Sequence, residues 1–530
     1  MCPCARSNTE VEEGRKKASR EKTAGGQPEI TTGCHIMLQS TAAIALLLCV
    51  QSLHGSALPA VSSYEFTAYR MQQYNLGQHK YGCRGAIVVA EARSAEEPSL
   101  TRRCVIMKVE DFTTEKYSEA QRQNAAAILI LLPQNISSIP HNAVESFMVS
   151  ESETLQKETL MPVYVAPEDE QLLCMYEEVK QAAATRTSSI FVRVLRSMVT
   201  ATAFQILVIN NAPIKATTDN AIITLEGVLL GAVEDAPTIV IAAHYDSFGL
   251  APWLSYGADS NAGGVTILIE LARLFQKLYS SPRTRPHEGK VDKCLYKADE
   301  HAAIPMNFPA VPVVEQDNML LEKDTINLVE STVAWEHERY SLRRILGFTL
   351  SHLEDPKSEL RGSMLDIMSK VDFRKLKRNG IIIAEALARY MYNLSDKGSP
   401  KDVQVFKGQL DIQDSRISSL MSFLTSVPRA TQLLDKEPSH ILLVNSLEHE
   451  FKRYLQQVHR HTFRQDKRDP DITFFDQMSQ PIVMYRVKPA AFDLFLGGCI
   501  AAYLGIVYYA IQNFGFLYTK LKAAVKTKHH

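Results

Sequence analysis

The apolar run Thr238 to Ala243 ends in His244-Tyr245-Asp246, and a short loop leads to Gly257-Ala258-Asp259-Ser260-Asn261-Ala262-Gly263-Gly264. Residues of these types in this order suit metal-assisted hydrolysis. A histidine at a strand end binds one ion through a ring nitrogen, an aspartate two residues on orients the ring, and a carboxylate in the next loop bridges two ions. His244, Asp246 and Asp259 are those residues here. The same chemistry needs a general base and a further ligand, an acidic pair at the end of the next strand. The acidic pair that follows, Asp299-Glu300 with His301 after it, lies among Pro282, Pro286, Pro305, Pro309 and Pro312 and reads as a solvated loop. The sequence therefore predicts a hydrolase fold without a hydrolase mechanism, with no catalytic residue, bound metal or cofactor. His244 and Asp246 suit a buried histidine with its hydrogen-bond partner better than a metal site, and Asp259 suits a helix cap better than a bridging ligand.

Positioning these residues requires an α/β framework. Ala221 to Leu230, Thr238 to Ala243 and Ile345 to Leu350 read as strands, and their continuous apolar character fits a sheet covered on both faces. Gly263 to Tyr279 reads as a helix that buries Val265, Leu268, Ala272, Phe275 and Leu278 and exposes Glu270, Arg273 and Lys277. A second helix is predicted over Ile381 to Tyr392. Between them, residues 280–324 show no clean strand. Ahead of this unit, Ala86 to Ala90, Cys104 to Val109, Ile128 to Leu132 and Pro162 to Val165 alternate with amphipathic stretches, as in a small α/β lobe. Behind it, residues 401–465 read as two or three helices, where His449, His459 and His461 suit a solvated face.

A chain of 530 residues exceeds a single core. Its 58 basic residues against 59 acidic ones exclude nucleic-acid binding driven by overall charge. Nine cysteines without a CxxC pair give no zinc-finger pattern. Leu38 to Leu53 followed by Gly55-Ser56-Ala57 reads as a secretory signal cleaved after Ala57, with Met37 as an alternative start. Ala490 to Ile511 would rise about 33 Å as a helix, enough to cross a bilayer. Lys520, Lys522, Lys526 and Lys528 beyond it favour a cytosolic tail and a lumenal domain. Asn135 and Asn393 head glycosylation sequons on the lumenal side, and Cys83, Cys104, Cys174 and Cys294 would share an oxidising space with room for one or two disulfides. Within the span, Asp493 is expensive in lipid and suits contact with a partner's helix, while Gly497, Gly498, Ala501, Ala502 and Gly505 would admit close backbone approach. The resulting layout is a leader and signal at 1–57, a small lumenal lobe at 58–190, an α/β domain at 191–395 with an irregular 280–325, lumenal helices at 396–485, a span at 490–512 and a basic tail at 513–530.

With these residues assembled, the chain resembles the zinc-aminopeptidase fold family that also contains the transferrin receptor and nicastrin, and within it the nicastrin-like branch. The resemblance covers roughly Tyr64 to Tyr279 and Ile326 to the C-terminus. It rests on Ala243-His244-Tyr245-Asp246, Gly257-Ala258-Asp259-Ser260-Asn261, Trp335-Glu336-His337-Glu338-Arg339, Leu350-Ser351-His352-Leu353-Glu354 and Tyr485-Arg486-Val487-Lys488-Pro489. It implies a three-layer α/β/α aminopeptidase-like domain in which His244 matches the first zinc histidine, Asp259 the bridging carboxylate and His337 the distal histidine. Glu336 takes the place of the acid before that histidine. It further implies residence in the endoplasmic reticulum membrane, a complex with the Nodal modulator protein and a small polytopic membrane protein near the Sec translocon, and a part in multipass membrane protein biogenesis and Nodal signalling.

Overall fold

Two compact units divide the chain, Met1–Ala60 and Val61–His530, and every described element lies in the second. The computed structural model describes residues 63–76, 79–155, 157–184, 203–209, 212–217, 220–232, 238–286, 290–296, 320–322, 335–345, 347–351, 358–392, 394, 404–464, 472–487 and 490–526. The leader, the signal and Asn393 lie outside them.

Short apolar runs bounded by Gly, Pro and polar turns make the first lobe: β1 (Ser63–Arg70), β2 (Gln73–Leu76), β3 (His79–Cys83), β4 (Val89–Ser94), β5 (Arg103–Lys108), α1 (Thr114–Arg122), β6 (Ala127–Leu132), α2 (His141–Ser150), β7 (Glu158–Thr159), β8 (Val163–Pro167) and α3 (Glu170–Ala184). Strand β6, Ala-Ile-Leu-Ile-Leu-Leu, is buried along its whole length, as a central parallel strand must be. The sheet closes into a barrel only by taking two strands from later in the chain, β9 (Ala203–Val208) and β18 (Ser479–Val487). Cys83, Cys104 and Cys174 are free thiols, so the disulfides expected of them are not formed. Cys83 and Cys104 are buried in the lobe's two cores, and burial pushes the Cys104 thiol up to about 12.

The second unit continues with β10 (Ala216–Thr217), β11 (Ala221–Leu229), β12 (Thr238–His244), α4 (Gly263–Tyr279), β13 (Lys290–Tyr296), β14 (Leu320–Glu322), α5 (Glu336–Leu342), β15 (Thr349–Ser351), α6 (Phe373–Met391), α7 (Asp414–Leu424), α8 (Pro438–Tyr454), β16 (Gln457–Arg464), β17 (Ile472–Phe475), α9 (Ala490–Gln512) and α10 (Phe514–Lys526). A four-stranded sheet runs β12-β13-β11-β16, with β12 and β13 parallel. Helices α4, α6, α7 and α8 share one core with Ile223, Leu225, Leu229 and Ile239 of this sheet. They form its one helical layer among the described residues. The other face of β16 carries His459, His461 and Phe463 in the open, with His461 Nε2 2.7 Å from Glu226.

Three expectations are corrected here. Residues 280–324 do hold a strand, β13, seated between β11 and β12; its lysines and aspartate hid the pattern that backbone pairing satisfies. Residues 457–464 are strand β16 rather than helix, because the edge of β11 offers them a ladder of eight paired positions. Glu270 and Arg273 are buried, not exposed, because α7 covers that side of α4 and supplies Arg416 as a partner, while Lys277 is exposed as predicted.

The lobe is tied to the loop before α6 by Glu151, 1% exposed, whose carboxylate accepts from Ser363 Oγ at 2.6 Å and Met364 N at 3.2 Å. Burial pushes this carboxyl up to about 7 despite those bonds. A folded-state value above the ordinary 4.5 means that Glu151 contributes stability fully below pH 4.5 and loses it as pH rises through about 7. Glu151→Gln is neutral throughout, so its unfolding temperature should gain on wild type between pH 5 and 8, by about 1–3 kcal/mol in free-energy terms. Parallel pH profiles for the two proteins would refute this.

Candidate functional site

Strand β12 delivers His244 at its last position, half-buried, with Tyr245 and Asp246 fully inside the turn that follows. The Tyr245 hydroxyl donates to Ile223 O at 2.8 Å and ties that turn to β11. Asp246 Oδ2 accepts from Thr431 Oγ1 at 2.7 Å, and its carbonyl accepts from Asn261 Nδ2 at 2.6 Å. The second loop begins at Gly257, whose φ of +56° favours glycine, and a Cβ there would lie 2.6 Å from Ser247 Cβ. Residues 258–262 then make one wide turn leading into α4.

Asp259 is half-buried in that turn and does not cap it. Asp366 does: its carboxylate accepts from Asp259 N at 2.8 Å, Ser260 N at 3.1 Å and Ser260 Oγ at 2.7 Å. Asp366 is 1% exposed, and burial raises its pKa against these three bonds. The capping carboxylate thus arrives from over a hundred residues downstream, where no spacing rule would find it.

Beneath both loops lies Arg429, fully buried. Its guanidinium donates to Tyr245 O at 2.8 Å, Tyr256 O at 2.5 Å and Gly257 O at 2.7 Å. Its backbone joins the same cluster, with Arg429 N donating to Ser255 O and Ser247 N to Arg429 O, each at 2.8 Å. Burial lowers its pKa to about 10, opposed by the carboxylates of Asp366 and Asp246, so it stays a cation at neutral pH. Sequence reasoning missed Arg429, Thr431 and Asp366 because Pro428-Arg429-Ala430 and Met364-Leu365-Asp366 carry no recognisable motif.

His337 sits at 3% exposure on α5, with Nδ1 3.1 Å from Thr349 Oγ1 of β15. Glu338 Oε1 accepts from Trp335 N at 3.2 Å, closing the first turn of that helix. Among the described residues, His244, Asp259 and His337 are not brought into any group of three or more ligands able to hold a metal ion. Asp246 Oδ2 accepts from Thr431 Oγ1 and His337 Nδ1 lies beside Thr349 Oγ1, while His337 Nε2 is buried with no hydrogen-bond partner among the described residues, and a fixed guanidinium supports the loops from below. Among the described residues no ligand set for a pair of zinc ions is assembled.

The pair Asp299-Glu300 lies outside the described residues. Its approach is visible, however. His244 and Tyr296 are in register across the parallel pair β12–β13, so the chain leaves β13 at the end of the sheet where His244 stands. An open cleft of about 580 Å³ between α7 and α8 is lined by Arg416, Phe423, His449 and Glu450 and by none of these residues.

At the remaining predicted positions, Asn135 is exposed, and its Oδ1 accepts from Ser137 N at 3.1 Å, leaving the amide nitrogen free for attachment. Asp493, Gly498 and Gly505 are exposed on α9, and a Cβ on either glycine would meet nothing within 4 Å. Among the described residues no single helix is long and apolar enough to cross a membrane. Leu496–Gln512 and Phe514–Lys520 meet that test together, bent by 73°.

A parallel strand pair with His244 at its end, a glycine-led loop carrying Asp259 and a helix packed behind define a peptidase-like α/β protein, and the model of peptidase family M28 matches residues 220–302. The BOS complex subunit ncln of Danio rerio is 43% identical, covering 89% of this chain and 95% of that protein. The BOS complex subunit NCLN of Homo sapiens is 42% identical over 92% and 96%, and Nicalin of Caenorhabditis elegans 24% over 88% and 93%. The chain belongs to the nicalin family, the NCLN subunits. The crystal structure of the gamma-secretase component Nicastrin aligns over 80% of this chain and all of that one at 10% identity and a TM-score of 0.49, too distant to build on.

Proposed function

We propose that this protein is a non-catalytic, aminopeptidase-like scaffold subunit of an endoplasmic reticulum membrane complex that assists multipass membrane protein biogenesis at the translocon and modulates Nodal signalling. The observation that carries this reading is its likeness, along nine-tenths of its length, to relatives named as BOS complex subunits. The large domain is lumenal, with Asn135 and Asn393 glycosylated, and α9 anchors it as a single span. The Nodal modulator protein, a small polytopic membrane protein and the Sec translocon are its partners. Asp493, Gly498 and Gly505 face the polytopic partner's helices, where small residues allow close approach and the carboxylate finds a donor. His244, Asp246, Asp259 and His337 are structural remnants, with Arg429 holding the former ligand loops in place.

A second reading, an active zinc aminopeptidase or carboxypeptidase, is favoured by one observation: β13 ends beside His244, three residues before Asp299. A third, a receptor-like ectodomain, would bind peptide N-termini in the former substrate cleft beside His244. One preparation separates them. The tagged full chain, extracted in mild detergent, should bring down both membrane partners, carry no stoichiometric zinc and leave aminoacyl amides intact. Two zinc ions per chain with hydrolysis abolished by Glu300→Gln would establish the enzyme instead.

A further inference from the structure

Beyond the anchor, the chain does not trail away: α10 is a thirteen-residue helix that leaves α9 at 73° across a single residue, Asn513. The bend is built. Asn513 donates from both its backbone N, at 3.0 Å, and its Nδ2, at 3.1 Å, to Tyr509 O at the end of α9. Thr519 Oγ1 then bonds Gly515 O at 3.0 Å in the first turns of α10.

Helix α10 is rich in aromatic and basic residues, and no described residue covers its three aromatic rings. Phe514, Phe516 and Tyr518 are 68%, 63% and 57% exposed. Positions 514, 517, 518, 521 and 525 are all apolar or aromatic and recur at helical spacing, with Lys522 at the edge of that face beside Tyr518, whereas Phe516, Thr519 and Lys520 fall on the other side. Phe514 and Tyr518 stack with centroids 6.3 Å apart. Lys520 Nζ lies 4.9 Å from the Phe516 centroid and Lys522 Nζ 5.9 Å from that of Tyr518. Phe516 and Tyr518 thus each sit beside an ammonium group, and Phe514 stacks on Tyr518. That pairing matches the bilayer interface, where rings lodge at headgroup depth and lysines meet phosphates. It does not match a bilayer interior, where three lysines in thirteen residues are prohibitive.

We propose that α10 lies in the plane of the membrane, on the side opposite the large domain, and binds anionic phospholipid headgroups. This rests on the reading that α9 crosses the bilayer. With α9 near the membrane normal, a 73° bend leaves α10 close to parallel with the surface. Each lysine near an anionic surface contributes about a fivefold gain, so the three together favour the seated over the solvated state by about a hundredfold.

The test uses the full chain in vesicles of phosphatidylcholine, with or without one-third phosphatidylserine. A fluorophore is placed on Phe514→Cys, Thr519→Cys or, in α9, Ile506→Cys, and read with lipid-attached quenchers of graded depth. The expected result is interfacial quenching at 514, water exposure at 519 and a strong gain at 514 with phosphatidylserine, which Lys520→Gln, Lys522→Gln and Lys526→Gln together abolish. Water exposure at both 514 and 519 with 506 deep in the bilayer would overturn this proposal and leave the anchor intact. Quenching at mid-bilayer depth at 514 and 519 alike would overturn it by making α10 a continuation of the span. Water exposure at 506 would overturn the anchor itself.

Discussion

Arg429→Met should destabilise the protein by about 4 kcal/mol, the largest loss expected from any single change at the candidate site. The methionine side chain is apolar and nearly as long, so the change removes donors and charge rather than volume. Three buried carbonyls, of Tyr245, Tyr256 and Gly257, lose their charge-assisted partner at once. Water cannot replace it, since Arg429 is 0% exposed. Arg429→Lys should recover only part of the loss, because one ammonium cannot reproduce a planar fork reaching three acceptors. Thermal or urea unfolding in detergent reads the effect directly. A loss under about 1 kcal/mol for Arg429→Met would mean that the two loops hold without it.

A comparable loss, about 3–5 kcal/mol, is expected for Glu270→Ala. Glu270 stands inside the core between two guanidinium groups, with Arg273 Nη2 2.7 Å from Oε2 and Arg416 Nε 2.8 Å from Oε1. Without the carboxylate, Arg273 remains buried with one backbone acceptor, Asp411 O at 2.9 Å, while Arg416 keeps Tyr454. The penalty comes from the stranded charge rather than from the lost pair. Glu270→Met combined with Arg273→Met should therefore be far milder than Glu270→Ala alone, and a double change that costs as much as the sum of its parts would contradict this account.

What could be read beforehand follows from where the deciding contacts lie. Helix α4 was legible to the residue because its apolar period, its opening glycines and its end at Ser280 are all local. Strands β11 and β12 were legible as apolar runs, with His244 at the end of β12. Strand β13 was not, since Lys-Val-Asp-Lys-Cys-Leu-Tyr becomes a strand through two neighbours far away in sequence. The true side of Glu270 was hidden for the same reason: its cover and its second cation come from α7. At the site, local spacing located the loops, whereas the groups that hold them, Asp366, Arg429 and Thr431, arrive from distant turns with no motif to announce them.

The pairing of β1 with β18, in register from Ser63 with Tyr485 to Tyr69 with Ser479, has a consequence for biosynthesis. A ribosome produces β1 long before β18, which comes just before α9. Until β18 emerges, β1 and β9 each present an open edge, and the lobe between them cannot close its barrel. Contacts so far apart in sequence form slowly and leave adhesive intermediates exposed. Completion of the domain is thereby coupled in time to arrival of the hydrophobic C-terminal helix, so the chain reaches its native state only when the segment proposed to anchor it has been made.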